Sequence, residues 1–192
     1  MKYIFLFLFI VFCSCKNNSV ESLEVPEIPS DSLTLAVFND VITSPEVREE
    51  FNFRQYQDTV YVSQELTNES DLDLVLMKIN YKQAFFSKTD SLYFNEQKKN
   101  LQHLNITDKQ LKEKRVVLFD DKLMEVKQAA FKDSAFDFNY YKFSKPLISA
   151  DHTKAIIQVR YSCLGCGFGI ALIFEKKSEK WILIDQLSLW DN

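Results

Sequence analysis

The stretch Tyr161-Ser162-Cys163-Leu164-Gly165-Cys166-Gly167-Phe168-Gly169 holds all 3 glycines of the chain and two of its 4 cysteines. Apolar residues recur at every second position before it, from Lys154 to Ser162, and again after it, from Phe168 to Lys176. This period predicts two strands. Since glycine adopts left-handed backbone conformations that other residues avoid, we interpret Gly165, Gly167 and Gly169 as residues of the turn that joins the strands into a hairpin.

The chain beyond this hairpin predicts more of the same sheet. A polar turn at residues 177–180 is followed by a third strand, Trp181 to Asp185, and by a short apolar segment, Leu187 to Trp190, that fits a fourth. Consecutive strands joined by short turns form an antiparallel meander, because each turn brings the chain back beside the strand it has just left.

Helical spacing dominates the segments upstream. Apolar residues up to Ile42 recur at helical intervals behind Ser30 or Ser32, either of which suits the N-cap, and Pro45 suits the first position of a second helix. Further elements are predicted in the middle of the chain, namely strands at 59–63 and 116–119 and helices at 91–104 and 107–114. The predicted fold is therefore α+β, with N-terminal helices packed on a C-terminal antiparallel β-meander.

Two segments leave their structure open. Leu72 to Tyr81 fits a helix as well as a strand, because its apolar residues satisfy both periods. Leu123 to Tyr141 is rich in aromatic residues but shows no clear period.

The first residues have the pattern of a secretory leader. Met1-Lys2 is positively charged, and the apolar run from Tyr3 to Phe12 would cover about 15 Å as a helix, too short to cross a membrane. Ser14-Cys15 follows, which resembles the lipobox of bacterial lipoproteins. The leader is therefore predicted to be residues 1–14, and an ordinary secretory signal cleaved nearby is the alternative.

The lipobox resemblance implies that Cys15 carries the lipid and is the N-terminus of the mature protein. Acyl chains on Cys15 would hold the protein on a membrane, since each buried CH₂ contributes about 0.8 kcal/mol. A lysine at position 16 implies, by the same resemblance, the outer membrane of the cell envelope. Residues 15–29 are polar with two prolines and are predicted to be a flexible tether, and residues 30–192 a single domain.

The C-terminal region carries a second resemblance. Phe143-Ser144, Pro146 and Ser149, the Tyr161-to-Gly169 stretch and Lys180-Trp181 follow the order F-S-x-P-x-x-S, Y-x-C-x-x-C-G-x-G and K-W. This order resembles that of small uncharacterised lipoproteins of the Bacteroidetes group, over about 50 residues. The resemblance implies an envelope location and a fold, and it implies no catalytic residue.

Composition narrows the class of partner. The chain has 23 Lys and Arg against 27 Asp and Glu, a net charge of −4, so it lacks the basic balance typical of nucleic-acid binders. A hydrophobic fraction of 46% is enough for a folded core. The predicted partners are therefore the membrane, through the lipid on Cys15, and an envelope protein or ligand of unknown kind.

Three roles are open to Cys163 and Cys166. The first is a structural disulfide across the hairpin turn, which an oxidising envelope favours. A redox pair is the second, although such pairs begin a helix and a strand follows here. A zinc site needs about four ligands, and His152 lies at the far end of the strand that leads to Cys163, so zinc is rejected.

The remaining polar residues predict no catalytic site, no metal site and no cofactor. His103 is in a polar helix, and the pairs Asp120-Asp121 and Asp71 with Asp73 suit solvated turns. Trp181 and Trp190 are interpreted as core or rim of the sheet. The predicted function is a non-enzymatic, lipid-anchored binding module. The alternatives are a thiol-disulfide or metal-handling protein that uses Cys163 and Cys166, and an inhibitor or immunity-type lipoprotein.

Overall fold

The structure is a computed structural model, which describes residues 27–50, 59–67, 71–82, 84–100, 104–120, 122, 126, 140–163 and 166–191. The helices are α1 (Asp31–Ile42), α2 (Pro45–Glu50), α3 (Leu72–Lys82) and α4 (Lys88–Lys99). The strands are β1 (Val60–Ser63), β2 (Glu65–Leu66), β3 (Leu104–Asn105), β4 (Val116–Phe119), β5 (Tyr140–Phe143), β6 (Leu147–Ile148), β7 (Lys154–Cys163), β8 (Cys166–Lys177) and β9 (Lys180–Asp191). No helix among the described residues has the length and apolar character needed to cross a membrane.

The strands form a mixed sheet in the order β4-β1-β5-β7-β8-β9, with β6 beside the first half of β7. The meander β7-β8-β9 is antiparallel, as the sequence predicts. The meander is only part of the sheet, and the sheet as a whole is mixed, because β1 pairs in parallel with both β4 and β5. Parallel neighbours are joined by long connections rather than tight turns, so no local turn signal marks them.

Helices cover both faces of this sheet. One cluster of buried residues joins α1 and α2 to Ile157, Val159 and Leu172, and a second joins α3 and α4 to Ile156 and Ile173. Successive residues of a strand point to opposite faces, so the two clusters lie on opposite sides of β7 and β8. The prediction that the helices are all N-terminal is therefore wrong: α3 and α4 follow β1 and β2 and pack on the second face.

The local signals for the first helices are confirmed. Ser30 is the N-cap of α1 and accepts a hydrogen bond from Leu33 N at 3.3 Å, and α2 begins at Pro45. Helix α4 begins at Lys88, three residues before the predicted start, because Ser87 and Asp90 form a capping box there.

The ambiguous segment Leu72–Lys82 is a helix. Leu72, Val75 and Ile79 have no exposed surface, and their three- and four-residue spacing puts them on one helical face against the sheet. A strand would have turned part of this apolar set to the opposite face. In the other open segment, Tyr140 and Tyr141 begin β5, and most of the rest lies outside the described residues.

Strand β9 forms one edge of the sheet and is longer than predicted, since it runs without a break to Asp191. Its register against β8 shifts between Gly169 and Ile170 and again between Ile173 and Phe174. Such bulges twist an edge strand and disfavour pairing with another chain. Lys78 Nζ also donates to the Ser188 carbonyl at 2.8 Å, which occupies one more backbone group of this strand.

Candidate binding face and hairpin end

The register of β7 and β8 places Cys163 directly opposite Cys166, with two residues between them in the chain. Directly opposed residues of an antiparallel pair have Cα atoms about 4.5 to 5.5 Å apart, within the range that a disulfide spans. None of the four cysteine side chains is among the described ones, so the disulfide stays a prediction. Gly165 also lies outside the described residues.

Gly167 and Gly169 are strand residues of β8 and not residues of the turn, which corrects their predicted role. The tryptophan of the neighbouring strand decides their identity: a Cβ atom at position 169 would lie 2.2 Å from Trp190 Nε1. A Cβ atom at position 167 would lie 3.0 Å from the Tyr161 carbonyl oxygen and 3.3 Å from the Trp190 ring. The glycines therefore make room for an indole that lies flat on β8.

The registers of five strands bring together a surface that we call the basic aromatic face: Tyr61, Tyr140, Lys142, Arg160 and Trp190. Tyr61 of β1 is paired with Tyr140 of β5, and Lys142 of β5 with Arg160 of β7. Arg160 is paired with Gly169, which is in turn paired with Trp190. Paired residues share a face, so all five belong to one side of the sheet.

This face is accessible to solvent. Arg160 is exposed, and the other four residues are partly exposed. Lys142 Nζ lies 5.9 Å from the centroid of the Tyr140 ring, and the same ring meets Phe119 edge-on at 5.3 Å.

Gln158 lies on the same side of the sheet, two residues before Arg160 on β7. Its side chain is 4% exposed, and its Oε1 atom has no hydrogen-bond partner in the described part of the protein. A buried acceptor without a donor costs about 1 to 3 kcal/mol.

The segment before α1 is held at the opposite end of β7. The Tyr93 hydroxyl donates to the Glu27 carbonyl, and Lys145 Nζ lies 2.9 Å from Asp31 Oδ1. Burial raises the pKa of Tyr93, and the Glu27 carboxylate raises it further. Both contacts are beside β6, whose residue Leu147 is paired with Ile156. Cys163 is seven residues further along β7, about 23 Å away.

The histidines and aspartates that the sequence offers as other candidate site residues do not come together in a site. His103 and Asp121 lie outside the described residues. His152 is in the turn before β7, so the full length of that strand separates it from Cys163. Asp120 accepts a hydrogen bond from Lys122 N at 2.7 Å, as a turn residue does. Among the described residues no group of three or more His, Cys, Asp or Glu side chains could hold a metal ion.

Sequence reasoning missed the basic aromatic face as a unit. Its members come from four strands, and 79 residues of chain separate Tyr61 from Tyr140, with which it is paired. The one signal within reach was the alternation of each strand, which places Lys142 on the same face as Tyr140 and Arg160 on the same face as Ser162. Comparison of the chain with protein-family models, with curated proteins and with solved structures found no match.

Proposed function

We propose that this is a lipid-anchored protein of the cell envelope that acts by binding a ligand on the basic aromatic face and not by catalysis. The observation that carries the binding role is the face itself. A cross-strand pair of cations, Lys142 and Arg160, lies between tyrosines on one side and Trp190 on the other, and all are accessible. Arginine and aromatic residues are enriched at binding interfaces, so an accessible face that combines them is typical of a binding surface.

The anchor is supported by the leader and by Cys15, and its membrane is proposed to be the outer one. Twelve residues separate Cys15 from Glu27, so the tether reaches at most about 40 Å. Because the chain enters the domain beside β6, the basic aromatic face and the hairpin end are at the far end of β7 from the tether. An anchored protein would therefore present this face away from its own membrane attachment.

Two readouts of one experiment in cells test this function. The Cys15→Ala variant is expected to leave the membrane fraction, since it cannot carry the lipid. In the lipidated protein, a photo-reactive benzophenone amino acid in place of Tyr140 is expected to form a discrete covalent adduct with the ligand bound on this face. The same group in place of Tyr81, which is 92% exposed on α3, is the control and is expected to give none.

Retention of the Cys15→Ala variant in the membrane fraction would show that the anchor is misassigned. Equal adducts from positions 140 and 81, or none from position 140, would show that the face is not the binding surface.

A thiol-disulfide function is the second candidate, and the register that opposes Cys163 and Cys166 favours it. Low-pKa thiols are usually stabilised at a helix N-terminus, and these residues end and begin strands. We therefore expect a structural bridge: both thiols should resist alkylation of the mature protein until a strong reductant is added. Free alkylation, or cycling at the potential of envelope oxidoreductases, would make the hairpin end the working site.

A further inference from the structure

We propose that a disulfide between Cys163 and Cys166 is a redox switch for the basic aromatic face: the closed bridge keeps Trp190 in place on β8, and reduction releases the indole and weakens binding. This inference rests on the proposed function, since it concerns the regulation of the same face. Three properties of the hairpin end support it: the register of the cysteines, the sequence of the loop between them and the position of the indole.

The cysteines flank the loop of the hairpin. Cys163 and Cys166 are directly paired at the end of β7 and the start of β8, so only residues 164 and 165 lie between them. A bridge across so short a loop removes little conformational entropy from the unfolded chain, so it contributes little to the stability of the whole domain. Its reduction should therefore change the hairpin end without unfolding the domain.

The sequence of the loop makes the bridge necessary at this end. Two-residue hairpin loops favour type I′ or II′ turns, and both types need a positive φ angle at the first loop position. That position is Leu164, and a leucine disfavours positive φ because its Cβ atom comes too close to the following carbonyl oxygen. The loop sequence therefore does little to close the hairpin, and the bridge has to hold the two strand ends together.

The indole of Trp190 lies beside this end of the hairpin. A Cβ atom at position 169 would lie 2.7 Å from its Cδ1 atom, and one at position 167 would lie 3.3 Å from Cζ3 and 3.4 Å from Cη2. The five-membered ring therefore lies over Gly169 and the six-membered ring over Gly167, one residue from Cys166. Strand ends that separate at the cysteines would move the backbone on which the six-membered ring rests.

A stacked pair of rings limits how far the hairpin can open. Tyr161 is paired with Phe168, two residues further along each strand than the cysteines, and the two rings stack with their centroids 5.2 Å apart. Aromatic pairs across neighbouring strands stabilise their pairing, so the opening should reach Gly167 and stop before Phe168. Reduction is thus expected to act on the support of the indole and to leave the rest of the meander intact.

The switching reaction is a thiol–disulfide exchange with a dithiol. The dithiol supplies two electrons and two protons, the S–S bond breaks, Cys163 and Cys166 become thiols, and the dithiol is oxidised to its own disulfide. In the mature protein Cys13 is lost with the predicted leader and Cys15 carries the lipid, so none of the 4 cysteines other than this pair is a target for the reductant.

The test is fluorine NMR of the mature, lipidated protein in detergent, labelled with fluorotryptophan at its 2 tryptophans. Dithiothreitol is expected to shift and broaden the Trp190 signal, which Trp190→Phe identifies by its loss. The Trp181 signal should stay in place, because Trp181 is paired with Lys176 at the other end of β8 and β9. Cys163→Ser/Cys166→Ser should show the reduced Trp190 signal without reductant and should not respond to dithiothreitol.

A change in the loop separates the closing of the hairpin from other effects of the cysteines. Leu164→Asn, added to Cys163→Ser/Cys166→Ser, creates the Asn-Gly loop that type I′ turns favour. It should restore the oxidised Trp190 signal, since the loop then closes the hairpin without a bridge. The matched control, Leu164→Gln in the same background, should restore nothing.

The consequence for binding is measured in cells, with the benzophenone amino acid at position 140. Cys163→Ser/Cys166→Ser should lower the yield of the adduct at least about five-fold, the lower end of the usual coupling between two sites. Adding Leu164→Asn should restore the yield. If Cys163→Ser/Cys166→Ser does not fold, the wild-type protein with and without dithiothreitol replaces it in both measurements.

A Trp190 signal that reduction leaves unchanged, or equal changes at Trp181 and Trp190, would overturn the switch. Free alkylation of both cysteines in the untreated protein would overturn it as well, since there would be no bridge to open. If the signal responds but position 140 gives the same adduct with and without the cysteines, the proposed function stands and the bridge does not regulate it. If position 140 gives no adduct in any form, the proposed function fails, and the switch then regulates no binding.

Discussion

Replacing Gly169 with alanine is expected to lower the free energy of unfolding by about 2 to 3 kcal/mol, the upper part of the range for overpacked sites. The new Cβ atom would lie 2.2 Å from Trp190 Nε1 and 2.6 Å from Cε2, which is too close for the indole to keep its position. The indole must move off β8, and the surface it buries on the two glycines is then lost. Urea denaturation followed by circular dichroism measures this change.

The cause can be isolated by a double-mutant cycle with Trp190→Ala. Once the indole is absent, Gly169→Ala should cost less than about 0.5 kcal/mol, so the two substitutions should be strongly coupled. An equal cost of Gly169→Ala in both backgrounds would mean that the glycine is required for its backbone and not for the space it leaves. Gly167→Ala should cost less than Gly169→Ala, because its Cβ atom would lie 3.0 Å or more from every neighbour.

Replacing Gln97 with leucine is expected to lower the free energy of unfolding by about 3 kcal/mol. The Gln97 side chain of α4 forms two buried hydrogen bonds with one residue of β6: Nε2 donates to the Ile148 carbonyl at 2.6 Å, and Ile148 N donates to Oε1 at 3.0 Å. Leucine has a similar volume and makes neither bond, so a backbone donor and a backbone acceptor would be left buried without partners.

The matched control is Gln186→Leu, on the partly exposed part of β9, where the side chain of the residue has no hydrogen bond within the described part of the protein. That change should stay within about 0.5 kcal/mol of wild type. A loss below about 1 kcal/mol for Gln97→Leu would mean that water or a shift of β6 satisfies Ile148, and that the side chain does not hold α4 on the sheet.

Elements whose cause is local could be predicted. Ser30 and Pro45 mark helix starts because a cap and a fixed φ act within one turn of the chain. The meander from Lys154 to Trp190 could be predicted because alternation and short turns are both properties of adjacent residues. Helix α4 begins before the predicted residue 91, because the capping box of Ser87 and Asp90 lies ahead of the first apolar residue of its helical period, Leu92.

The candidate site could be predicted only in fragments. Trp190 was expected at the rim of the sheet, and the glycines were expected to shape the turn. Their contact with each other was not, because it joins β8 to β9 across a register shift that alternation alone does not reveal. The pairing of Tyr61 with Tyr140 escaped prediction for a stronger reason, since no turn connects β1 to β5.

By itself the sequence determined the class of fold, the first helices and the antiparallel order of the last strands, and it predicted the leader and the lipid on Cys15. The tertiary structure decided that the sheet is mixed, that helices lie on both of its faces, and that Lys142 and Arg160 meet between aromatic rings. The physical reason is the range of the interactions. Caps, turns and alternation act over a few residues, whereas parallel pairing and the packing of helices depend on which distant surfaces exclude water together.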